Sequence, residues 1–154
     1  MALAAAARER NTSLPLLRAA DAIGRAVMGH RLCTAMVFDA EAMMVQRIYS
    51  TDEQAYPLSG RKPKRDTAWG RKVLLERQVF VGDEAAIRQH FDDHALIASL
   101  GLRSIVNVPV LLGGECVGTL NFLWADQDLR PEWPAFAEWL GLIATPDWAT
   151  LPRG

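Results

Sequence analysis

Between residues 12 and 29 an apolar residue returns every three or four positions, as Leu16, Ala20, Ile23 and Val27. That period predicts an α-helix with one buried face. Thr12 or Ser13 offers an N-cap, Pro15 suits the first turn and Gly29 suits the stop. The period then shortens. Leu32–Phe38 and Met43–Ser50 are short runs of strand formers around Asp39-Ala40-Glu41-Ala42, which predicts an antiparallel hairpin. From Thr51 to Arg65 no period survives, and two prolines and a glycine interrupt the segment. It is expected to be a loop, and loops of this length in a compact domain are functional or disordered.

Asp66 or Thr67 then caps a helix running to about Arg77, with Trp69 and Val73 one turn apart. Val79-Phe80-Val81 reads as a short strand. Asp83 caps a helix over Glu84–Phe91, and Asp92 caps a second over Asp93–Leu100, closed by Gly101. Arg103–Leu112 and Glu115–Ala125 flank Gly113-Gly114, a two-residue hairpin connection. Extended in simple register, this hairpin sets Leu111 opposite Cys116 and Asn107 opposite Leu120, although Pro109 hints at a bulge. Pro131 opens a last helix with Trp133, Phe136, Leu140 and Ile143 on one stripe and Trp139 beside it; Pro146 is expected to end it.

The strands around Gly113-Gly114 are apolar at nearly every position, whereas a half-wet antiparallel sheet alternates. Both faces must be covered. The two terminal helices make a natural layer on one side, with the middle helices on the other. The expected fold is α/β (α+β), a three-layer α/β/α sandwich around a central antiparallel sheet of about five or six strands.

The 154 residues suit one domain, which would bury roughly 68–70% of the unfolded chain's surface. We expect a tail over 1–11, the domain over 12–145 and a second tail over 146–154. With 17 Lys and Arg against 18 Asp and Glu, the net charge is −1, without the basic footprint of a nucleic-acid binder. No apolar run is long enough to span a membrane, and the order of basic and apolar residues at the start is the reverse of a signal peptide. A cytoplasmic protein is expected. Cys33 and Cys116 form no C-x-x-C pair, and both fall in predicted strands. His90 and His94 lie four apart, but a cap at Asp92 would break the helix between them, so no metal site is read.

The pattern Ser104-Ile-Val-Asn-Val-Pro-Val110, then Gly-Gly, then Cys116-Val-Gly-Thr-Leu-Asn-Phe122, resembles a GAF domain. The resemblance runs from about residue 12 to 145, and the chain looks like the small stand-alone GAF proteins of bacteria. It implies a module that binds a small molecule between the sheet and the middle helices and loops, and that dimerises through its terminal helices. The N-K…F…D-E signature of cyclic-nucleotide-binding members is not evident, and residues 51–102 hold no cysteine for a bilin. No cofactor is specified.

Arg47 and Tyr49 lie two apart on the second strand, so they are expected to point together, either into a pocket or, on an edge strand, into solvent. Tyr56 and Trp69 would close over them as an aromatic lid. Phe91, His94 and the isolated strand amide of Asn107 complete the expected ligand contacts, with Asn121 placed on the opposite face. Arg61-Lys62-Pro63-Lys64-Arg65 would clamp an anion or merely solvate a loop tip. The leading expectation is a non-enzymatic sensor of a small organic or anionic metabolite, acting as a homodimer and signalling in trans to a partner protein. The alternatives are a thiol-dependent reductase of a small oxidised metabolite using Cys33 or Cys116, and a ligand-free dimeric interaction module.

Overall fold

The computed structural model describes residues 13–151. The expected tail over 1–11 lies outside them, as does Thr12. Helix α1 spans Pro15–Met28, entered through Leu14 in the left-handed region (φ 54°), with no side-chain cap and with Pro15 in its first turn. Gly29 ends it at φ 71°, as expected. Its buried face carries Leu17, Ala20, Asp21, Gly24 and Met28, while Val27 is 49% exposed. The stripe is therefore rotated from the one expected. The cause is the neighbouring C-terminal helix, α5 (Trp133–Ala149): a Cβ on Gly24 would sit 2.8 Å from Leu140 Cδ1. Close helix packing selects the small residues of α1, which a count of large apolar positions overlooks.

Six strands follow: β1 Leu32–Asp39, β2 Met44–Ser50, β3 Arg61–Pro63, β4 Phe80–Gly82, β5 Ser104–Leu112 and β6 Glu115–Trp124. They form one antiparallel sheet in the order β3-β2-β1-β6-β5-β4. Leu17, Phe122, Trp124, Leu140 and Trp148 fill the core between the sheet and the terminal helices. Val45, Val73, Ile97, Ile105 and Leu123 fill a second core on the opposite face. The expected α/β/α sandwich is the observed architecture.

Several elements differ in detail. The segment 51–65 is not structureless, because Arg61–Pro63 pairs with β2. The helix after it, α2 (Gly70–Leu75), is wound as a π-helix. Of its two expected caps, Thr67 serves: its Oγ1 accepts the Gly70 N–H at 2.9 Å, whereas Asp66 is left-handed. Helix α3 (Glu84–His90) is capped by Asp83, as expected. Helix α4 (His94–Ser99) is preceded by Asp93 without a side-chain cap, so Asp92 does not cap it. His90 and His94 do fall on separate helices.

Pro146 does not end α5, which continues to Ala149. Proline there removes the N–H that would bond to Leu142 O, and tertiary anchors outweigh that loss. Trp148 Nε1 donates to Met36 O at 3.0 Å, and the Leu17 N–H donates to Asp147 Oδ2 at 2.8 Å. The last turn of the domain thus lies within the segment expected to be a tail.

Two bulges decide which residues share a face. Ala35 pairs with Tyr49 and Met36 with Arg47, leaving Ile48 as the extra residue of β2. Leu111 pairs with Cys116 but Val110 with Gly118, leaving Val117 as the extra residue of β6. Beyond that point Asn107 faces Asn121, not Leu120.

Candidate ligand-binding site

A pocket opens between the second face of the sheet and the segment that carries β3, α2 and α4, enclosing about 610 Å³ with its mouth included. Most of that is the open mouth; the space free inside is about 70 Å³, room for a compact group only. Its floor is polar. Trp69 Nε1 donates to Asn107 Oδ1 at 3.0 Å, and Asn107 Nδ2 donates to Asn121 Oδ1 at 2.7 Å. Asn121 Nδ2 in turn donates to Thr34 O and Oγ1, at 3.3 and 3.2 Å. A buried amide ladder of this kind is held together only because the bulge at Val117 brings the two asparagines opposite each other.

The wall is aromatic and cationic. Lys62 in β3 and Lys64 just after it line the pocket, while Arg61 and Arg65 bond to Met44 Sδ and Glu41 O outside it. The Lys64 ammonium stands 4.9 Å over the Trp69 ring, and the Arg47 guanidinium stands 4.9 Å over Tyr56. Burial lowers the pKa of both cations from their ordinary values. Arg47 Nη1 donates to Pro57 O at 3.0 Å, but its Nε is buried without a hydrogen-bond partner.

One carboxylate, Asp93, lines the pocket opposite these cations. It accepts the Tyr56 hydroxyl at 2.7 Å and lies 3.9 Å from Lys62 Nζ. Burial and that hydrogen bond push the Tyr56 phenol far up, so it stays protonated and keeps donating. Lys62 also pairs with the exposed Asp92 at 2.9 Å, on the rim. The Asp92 carboxyl is held below its ordinary value by that bond and charge. Phe91 completes the wall, edge-on to Trp69 with centroids 6.3 Å apart.

Of the residues expected from the sequence, Arg47, Tyr56, Trp69, Phe91 and Asn107 come together here. Tyr49 does not. The bulge at Ile48 sends it through to the other face, where its hydroxyl donates to Asp21 Oδ2 on α1 at 2.6 Å. His94 begins α4 but is not on the pocket lining, where its neighbour Asp93 is. Asp93, Asn121 and Thr34 were not foreseen, because each depends on a register or a helix start set by tertiary packing.

Neither cysteine lines the pocket. Cys33 is wholly buried and Cys116 is 9% exposed. Burial, together with the Asp21 carboxylate for Cys33, pushes both thiols above their ordinary pKa.

The fold is shared with known structures. The GAF domain of a two-component sensor histidine kinase from Bacillus halodurans superposes with a TM-score of 0.71 at 16% identity, covering 87% of this chain and 91% of that one. The GAF domain of a phosphoenolpyruvate-protein phosphotransferase from Coxiella burnetii gives 0.73 at 14%, covering 94% and 86%. The chain has the GAF fold. A type II free methionine-R-sulfoxide reductase from Thermoplasma acidophilum also superposes, with a TM-score of 0.64 at 12% identity over 90% of this chain and 98% of that one. At these identities the likeness is one of fold alone. No protein-family model matches the sequence, and no curated protein does. No described helix is long and apolar enough to cross a membrane.

Proposed function

We propose that this GAF-fold protein is a sensor of a compact organic anion, a carboxylate or phosphate on a small apolar or aromatic body. The observation that carries the reading is the buried, unpartnered Nε of Arg47, in a pocket where Arg47, Lys62 and Lys64 face one carboxylate. An orphaned guanidinium N–H in a partly enclosed site is costly unless an acceptor arrives. The amide floor of Asn107 and Asn121 and the Trp69–Phe91 wall would orient the rest of the ligand. Ligand contacts are thus assigned to Arg47, Tyr56, Trp69, Phe91 and Asn107, joined by Lys62, Lys64, Asp93 and Asn121. The thiol-dependent reductase is disfavoured by the placement of Cys33 and Cys116 away from this pocket.

In this reading the protein works as a homodimer through its terminal helices and passes its signal in trans to a partner protein. The face of α5 that carries Trp139 and Leu142, 50% and 69% exposed, is the surface the second copy would cover.

Thermal unfolding against a panel of carboxylates, amino acids, phosphates and neutral analogues tests the binding claim. A ligand at 100 times its Kd adds about 2.7 kcal/mol, which should raise Tm by roughly 5–10 °C. The rise should follow anionic members and disappear in Arg47→Met. No rise across the panel would leave the ligand-free interaction module as the better account.

A further inference from the structure

On the face away from the pocket, three buried side chains from three elements converge under α1. Asp21 comes from α1, His30 from the turn after it and Cys33 from β1. They are 5%, 2% and 0% exposed, and their ligating atoms all lie within 4.8 Å of one another. His30 Nε2 is 2.6 Å from Asp21 Oδ1, and the Tyr49 hydroxyl is 2.6 Å from Asp21 Oδ2. The His30 ring is packed edge-on against Phe122, with centroids 4.8 Å apart.

We propose that Asp21, His30 and Cys33, with the Tyr49 oxygen beside them, form a structural site for one divalent cation of the zinc type. Three observations carry this. The donor set is one oxygen, one nitrogen and one sulfur, the mixture that a borderline-soft metal accepts and that magnesium or calcium does not. The His30 ring is only half satisfied: its Nε2 meets Asp21 Oδ1, while its Nδ1 is buried with no hydrogen-bond partner. The charges also close. A carboxylate and a thiolate neutralise a divalent ion, so the loaded site carries no net charge into an apolar core.

Ligand atoms around a tetrahedral zinc lie about 3.3–3.8 Å apart, so the widest separations must close by about 1 Å while the 2.6 Å contact between His30 and Asp21 opens to admit the ion. Binding converts the Cys33 thiol to a thiolate and releases its proton to solvent. The Arg25 guanidinium, half exposed and 4.0 Å from Asp21 Oδ1, balances that carboxylate when no metal is bound and is free to swing outward. The sequence conceals the site, since Asp21, His30 and Cys33 fall on a helix, a turn and a strand. No C-x-x-C or paired histidine marks it.

The site is closed to solvent, so metal should enter during folding. The test is to refold the full chain from denaturant with Co2+ and then remove unbound metal by gel filtration. One cobalt per chain should remain, with the visible bands of a tetrahedral site and the near-ultraviolet band of thiolate-to-cobalt charge transfer. Zn2+ should displace the cobalt and bleach these bands. Cys33→Ser should abolish the charge-transfer band, while Cys116→Ser should leave it intact. Cobalt not retained by wild-type protein that has refolded by circular dichroism overturns the proposal. So does a charge-transfer band that survives Cys33→Ser or vanishes in Cys116→Ser. The wild-type and Cys116→Ser spectra decide the matter even where Cys33→Ser does not fold.

Discussion

Lys64 shows how burial tunes a single residue for an anion. Its ammonium faces Lys62 and Arg47 as like charges and Asp92 and Asp93 as opposite ones, and burial lowers its pKa below the ordinary 10.5. An anion binds the charged form. Affinity should therefore decline as pH rises through this lowered pKa, earlier than an exposed lysine would impose. Titration calorimetry with the strongest anion of the panel checks this. Lys64→Arg should move the alkaline decline to higher pH, and Lys64→Met should weaken binding and remove the decline due to this residue. Asn107 acts on stability, through the hydrogen bonds it holds on both sides. Asn107→Ala would strand both Trp69 Nε1 and Asn121 Oδ1 in the core, so urea unfolding should show a loss of at least about 2 kcal/mol.

At the scale of elements, the two bulges matter more than any strand's composition. The one in β6 places Gly118 against β1, under the indole of Trp148. A Cβ there would collide with Met36 O and Trp148 Nε1. Gly118→Ala should cost about 3 kcal/mol or more, because a backbone oxygen cannot step aside. Differential scanning calorimetry of the variant checks it. The bulge in β2 divides Arg47 from Tyr49, so two residues that a regular strand would pair serve opposite layers. One meets the pocket and the other meets α1 through Asp21. Both strands were legible from their β-branched and apolar runs. The bulges were not, because an extra residue is accommodated by the partner strand and leaves no period of its own.

For the whole molecule, the layering was legible because both faces of a doubly apolar sheet must be covered. The exposed Trp139 and Leu142 on α5 are where that covering remains incomplete in one chain. If these helices form the homodimer interface, sedimentation equilibrium should report twice the chain mass. A Trp139→Glu, Leu142→Glu double variant should then shift the equilibrium to monomer without loss of secondary structure. Monomeric wild-type protein at micromolar concentration would instead leave the helix face for another partner.

By itself the sequence determined the order of helices and strands, the tight Gly113-Gly114 turn and the sandwich, since each follows from local period, turn chemistry or the need to cover apolar faces. It also carried most of the pocket, because Arg47, Tyr56, Trp69, Phe91 and Asn107 are unusual residues for their local settings. Only the tertiary structure decided which face each side chain meets. The pairing of Asn107 with Asn121, the turn of Lys64 toward Trp69 and the escape of Tyr49 to Asp21 all depend on register. A one-residue slip in register exchanges the two faces of a strand, and register is set by packing between segments far apart in the chain.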